Sequence, residues 1–192
     1  MKKIILALSV LCFSIVAPAQ VRFGIKGGYN LSTLIYSGTT SLDGEKSKSG
    51  FNAGIFADIP FSKSFSLVPE LVYSAQGAGF QNSYASGSFS YDYMNIPVLL
   101  GYKLSMGLYF ETGIQMGILL SANEKSNGTT TGIMYKTYST DFAWPIGFGY
   151  QIPNQHFGID LRYNLGLVNI VKSGSDVNVK NSVFQFGLFY EF

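Results

Sequence analysis

A single histidine, His156, and a single cysteine, Cys12, limit the reactions this 192-residue chain could perform. A histidine metal cluster needs several imidazoles, and thiolate chemistry needs a cysteine retained in the working protein. His156 follows the turn-forming run Pro153-Asn154-Gln155, a setting that suits a structural or solvated imidazole. No G-x-S-x-G elbow, zinc-binding helix or phosphate-cradling glycine loop is present. The sequence therefore assigns no catalytic, cofactor-binding or metal-ligating residue, and the expectation is a protein that is not an enzyme and needs no cofactor. What remains is a set of charges set into apolar, glycine-rich segments: Lys26, Glu70, Glu111, Asp160 and Arg162. Carboxylates and cations that converge in a confined space either neutralise one another as an ion-pair network or line a polar path. The reading favours the network, with Lys103 and Arg22 nearer one rim.

The elements that must position these charges are strands. From Val21 onward, segments of alternating character are separated by turns and loops. The strands are predicted at 21–32, 50–59, 65–77, 90–104, 107–121, 139–152, 156–168 and 182–192. Short connections (near 60–64, 105–106 and 153–155) alternate with longer ones rich in Ser, Gly, Asn and Thr (33–49, 78–89, 122–138 and 169–181). Strict alternation of this kind reads as an up-and-down barrel with tight turns on one rim and loops on the other.

Alternate residues of a strand face opposite sides. In the first strand Val21, Phe23, Ile25, Tyr29 and Leu31 oppose Arg22, Gly24, Lys26, Gly28 and Asn30. In the seventh, Phe157, Ile159, Leu161, Tyr163 and Leu165 oppose Gly158, Asp160, Arg162, Asn164 and Gly166. Strand charges fall on the polar face, Asp92 excepted. Alternation alone does not say which face points inward, since a soluble barrel alternates too. Glycine decides it. Glycine weakens a strand and serves no purpose on a wetted surface, but in a narrow eight-stranded bore it makes room for long neighbours. Charged residues are 12% of the chain against about 25% for a soluble domain. The expected fold is all-β: an eight-stranded antiparallel transmembrane barrel, apolar face to lipid, with short periplasmic turns and longer outer loops.

The N-terminus fits export. Met1-Lys2-Lys3 precedes an apolar run from Ile4 to Val16 and the small-residue motif Ala17-Pro18-Ala19. That run is about 13 residues, short of the ~20 a spanning helix needs. Leu11 is too bulky for the position before a lipidated cysteine. Residues 1–19 are read as a cleaved signal peptide, which removes Cys12, and 20–192 as the barrel domain. A net charge of +2 gives no argument for nucleic acid as a partner. Aromatics at strand ends are read as interface girdles, with Tyr73, Phe80, Tyr91 and Tyr138 on the outer side. Ring stacking on a ligand is considered for Phe80, Tyr84 and Tyr135 in the loops.

At the C-terminus, Phe184, Phe186, Leu188, Tyr190 and Phe192 occupy alternate positions up to the last residue. This row resembles the strand that outer-membrane assembly machinery reads in its clients. Four further segments carry a wider resemblance: Phe23-Gly24-Ile25-Lys26-Gly27-Gly28-Tyr29-Asn30-Leu31-Ser32, Leu67-Val68-Pro69-Glu70-Leu71-Val72-Tyr73, Asn95-Ile96-Pro97-Val98-Leu99-Leu100-Gly101-Tyr102-Lys103 and Gly158-Ile159-Asp160-Leu161-Arg162-Tyr163. In this order they resemble the outer-membrane barrels common in Bacteroidetes, the porin-family or PorT-like proteins. The resemblance implies a Gram-negative outer-membrane address, with outer-membrane lipids and the assembly machinery as partners. It implies little about activity, because one fold hosts many functions. The leading reading is a non-enzymatic barrel with a plugged polar lumen, serving envelope structure or surface interaction through a loop-binding partner of unspecified kind. The alternative is a small channel or a transport or secretion accessory.

Overall fold

A computed structural model of the chain describes residues 21–37, 45–81, 86–172 and 178–192. The predicted signal peptide lies outside them. Nine strands are present among the described residues: β1 (Arg22–Ser37), β2 (Glu45–Pro60), β3 (Phe65–Gln81), β4 (Ser86–Lys103), β5 (Leu108–Ser126), β6 (Thr129–Gly132), β7 (Thr140–Gln151), β8 (Phe157–Gly166) and β9 (Asn178–Glu191). All pairings are antiparallel between neighbours, β4 pairs with β5, and β1 pairs with β9. The ring therefore closes with eight strands, as expected. The ninth, β6, is a short return strand on the outer end of β5, from Asn123↔Gly132 to Ser126↔Thr129.

Closure removes the edges that would leave backbone groups unpaired in hydrocarbon. The closing seam is long, running from Gly24↔Glu191 to Ser37↔Asn178. Beyond it, the Phe192 amide donates to the Phe23 carbonyl oxygen at 2.8 Å. On the periplasmic rim the turns are tight, and two of them use the left-handed region, at Gly107 (φ 96°) and Asn154 (φ 60°).

The facing is the one the sequence predicts. Apolar side chains stand on the outside of every membrane-crossing strand, with Phe23 62% and Ile114 70% exposed. The intervening residues point into the bore, where Asn30 is wholly buried. Gly28 faces Gly187 across the β1–β9 seam. A Cβ on Gly28 would lie 2.2 Å from the Phe186 carbonyl oxygen, so the two backbones approach there as only glycine permits.

The strands outrun the prediction at the outer end. β1 continues to Ser37, β2 begins at Glu45, β3 reaches Gln81 and β4 starts at Ser86. Much of the expected 33–49 and 78–89 loops is therefore paired strand. The connection after β6 includes a 3-10 turn at Met134–Lys136 and an isolated bridge, Thr137↔Val171, to the segment following β8.

Candidate functional site

The bore is the site, and its contents change along the axis. The five charges predicted to share a height meet near its middle. Arg162 on β8 reaches across the bore to β3, its Nη1 donating to Glu70 Oε2 at 2.7 Å and its Nη2 to Glu70 Oε1 at 2.8 Å. Its Nε donates to Glu111 Oε1 on β5, also at 2.7 Å. Lys26 on β1 bridges Glu70 Oε1 (3.3 Å) and Asp160 Oδ2 (3.1 Å). The guanidinium's planar fork suits two carboxylates held at fixed angles, a geometry a point-charge ammonium would not define. Arg162, Glu70 and Asp160 are all deeply buried. Two cations face three carboxylates, and Asp160 Oδ1 has no partner among the described residues.

Glycine creates the space for this packing. A Cβ on Gly187 would meet Asp160 Oδ1 at 2.2 Å, and one on Gly147 would meet Glu111 Oε1 at 2.7 Å. The same device seats three rings in the periplasmic half of the bore: Phe56, Tyr109 and Phe189. Phe189 stands edge-on to both others, at 5.8 Å from Phe56 and 6.0 Å from Tyr109.

Beneath the network a cavity of about 70 Å³ runs between Glu70, Glu111, Tyr109, Phe189 and Lys103. A second charged ring marks the rim. Arg22 pairs with Asp58, and with Glu191 at 2.9 Å. Lys103 donates to Gln151. His156 belongs to this rim and acts structurally, its Nδ1–H donating to the Glu191 carbonyl oxygen at 2.7 Å. That is the setting its turn predicted.

Above the charges lies a band of amides. Asn30 Nδ2 donates to Ser74 Oγ (2.9 Å), while its Oδ1 accepts from Asn52 Nδ2 (2.7 Å) and Gln185 Nε2 (2.9 Å). Gln185 Oε1 in turn accepts from Asn164 Nδ2 at 2.8 Å. These bonds tie four neighbouring strands and β8 together through side chains alone. Higher still, Asp141 accepts from Asn181 at 2.8 Å and has no ion-pair partner among the described residues.

The outermost part of the bore was not anticipated. Leu34, Ala78, Tyr91, Tyr93, Leu119, Ala122 and Val179 turn inward there and pack with Ile133 and Ile170 from the outer connections. Tyr91, read as an outward girdle ring, is 2% exposed and belongs to this cluster. The reason is phase: odd residues of β4 face inward from Lys103 up to Tyr91, and aromatic character does not override the strand's pleat. The same phase applied to Leu34, Tyr93 and Leu119 marks all of them as inward-facing. Lys48, within the expected 33–49 loop, lies on β2 and donates to Ser90 Oγ at 2.7 Å. Tyr135 is exposed, and Tyr84 lies outside the described residues.

The terminal row Phe184, Phe186, Leu188 and Phe192 faces outward with Tyr190 half-buried beside Phe157 at 4.8 Å. Comparison with known proteins adds the family. Residues 17–172 match the family described as the outer membrane protein beta-barrel domain. The chain belongs to that family. It is a protein of the outer membrane, crossing it by strands. No sequence among curated proteins matches it. Its fold is similar to that of Ail, the attachment invasion locus protein of Yersinia pestis, at 22% identity, covering 89% of this chain and 98% of Ail, with a TM-score of 0.52. Neisserial surface protein A is similar at 13% identity, with coverage of 88% and 97% and a TM-score of 0.54. OprG from Pseudomonas aeruginosa is similar at 16% identity, with coverage of 89% and 95% and a TM-score of 0.50. At these identities the likeness speaks for the barrel alone.

Proposed function

We propose that this is a non-enzymatic outer-membrane barrel with a closed interior, serving the envelope through its rigidity and its outer surface. The observation that carries the reading is Arg162, 2% exposed and bonded to carboxylates from two other strands across the middle of the bore. The amide band and the apolar cluster above it support the same reading. Eight strands leave an interior only just wide enough for side chains. Refolded protein in planar bilayers should give no stepwise conductance above the lipid baseline. Sustained unitary openings would overturn the closed interior.

The second reading is a small channel or a transport or secretion accessory, favoured by the cavity of about 70 Å³ beneath the network. On that reading, unlocking the network by Arg162→Leu would create openings in a folded barrel. Residues 1–19 are proposed to be a cleaved signal peptide, and the row ending in Phe192 the strand read by the assembly machinery. The resemblance to Bacteroidetes barrels supports both. Sequencing of the protein from outer membranes should read Gln20 first, and deletion of Phe192 should lower the amount found there.

A further inference from the structure

On the flank formed by β7, β8 and β9, the outward-facing charges above the apolar belt are all positive among the described residues. Along β7, β8 with the residue after it, and β9, the last exposed apolar side chains are Phe142, Leu167 and Phe184, while Met134 is exposed higher up, in the 3-10 turn. Tyr138 lies four residues before Phe142, and Lys180 four before Phe184. At ~3.4 Å per residue and the usual tilt, both stand about 10 Å above the belt's edge. This is where a bilayer's headgroups give way to the sugars they carry.

Two more lysines are fixed at the same level. The Lys172 amide donates to the Lys136 carbonyl oxygen at 2.7 Å, and the Tyr138 amide to the Ile170 carbonyl at 2.8 Å. The Thr137↔Val171 bridge locks the two segments together, with Ile133 and Ile170 anchored in the apolar cluster below. Lys136 and Lys172 are thus exposed, close and rigidly based. Each extends over a tyrosine ring, Lys136 over Tyr135 at 5.5 Å and Lys172 over Tyr138 at 5.7 Å.

No carboxylate answers them among the described residues. Asp141, Asp160 and Glu191, the acids of β7, β8 and β9, all point into the bore. On the opposite flank the outer charges are mixed, with Glu45 exposed beside Lys46 and Asp92 facing out from β4. Like charges held together without a counter-ion are a standing electrostatic cost that an external anion relieves. The exposed rings add faces on which a sugar can stack.

We propose that Lys136, Lys172 and Lys180, with Tyr135 and Tyr138, form a docking surface for a phosphorylated glycolipid headgroup of the outer leaflet. The partner is chosen by height and chemistry: it must be anionic, bear sugars and sit at the top of the belt.

The test is native mass spectrometry of the refolded mature barrel in neutral detergent, titrated with diphosphorylated lipid A. The variant K136Q/K172Q/K180Q should bind on the order of 100-fold more weakly, as loss of three surface cations at an anionic headgroup implies. Variant K46Q, on the β2–β3 flank across the ring, should bind like the parent, and K136R/K172R/K180R should retain binding. Heat-modifiable gel migration confirms that each variant is folded. Undiminished binding by the triple glutamine variant would overturn the proposal, as would an equal loss in K46Q. Phosphatidylglycerol bound as tightly as lipid A would also overturn it, since the surface would then read charge without sugar.

Discussion

Arg162 is the residue on which the interior depends. Its guanidinium is the shared partner of Glu70 and Glu111, and Lys26 supplies the only other cation of the central group. Taking one member from such a buried group costs more than the group contributes as a whole, because its partners keep their charge and lose their compensation. Arg162→Leu should lower unfolding stability by roughly 3–5 kcal/mol, read from urea titration in lipid vesicles. A variant that unfolds at the parent's urea midpoint would show the carboxylates to be satisfied without it. Asp141 is the contrasting case, a buried acid whose one side-chain donor is the neutral amide of Asn181. The reach of these side chains depends on absent ones: Gly187 leaves the space that Asp160 fills, and Gly147 the space for Glu111.

At the scale of the strand, one face meets lipid and the other meets protein. Leu161 tests this on β8, where it stands outward between Phe148 and Phe186 of the neighbouring strands. Leu161→Arg should cost ~2–4 kcal/mol for a cation near mid-membrane. Unchanged refolding yield and midpoint in vesicles would mean that the outward face is not in hydrocarbon. This facing was legible in the sequence because, in the membrane-crossing part of each strand and Gly27 apart, glycines and charges share one parity, and the five central charges followed from counting residues up from the turns. The outer strand ends were not legible by composition. Segments such as Gly77-Ala78-Gly79 and Ser86-Gly87-Ser88 carry the residues of loops, yet they pair as β3 and β4. Above the bilayer a strand no longer needs an apolar outer face, so the signal that marked its lower half disappears. Parity persisted where composition failed. Leu34 keeps the phase of Asn30, and Tyr91 that of Asn95, which places both inside.

The molecule as a whole is a cylinder that changes solvent along its axis. In the membrane its polar contents are enclosed and its apolar side is outside. Above the membrane Leu34, Tyr93, Leu119 and Ile170 pack within, as in a barrel that lives in water. The expected electrical silence in bilayers belongs to this scale, since the charge network, the amide band and the apolar cluster each occupy the bore in turn.

The β1–β9 seam has a consequence for connectivity. Because the two ends of the described chain meet side by side at one rim, the order in which the strands are spelled out is not what holds the ring together. Joining Phe192 to Val21 by a short flexible linker, and opening the chain at Ser105 in the β4–β5 turn, should give a circular permutant with the parent's heat-modifiable migration. A permutant that never acquires the compact form would show that the direction of synthesis, and not the set of neighbours, determines the cylinder.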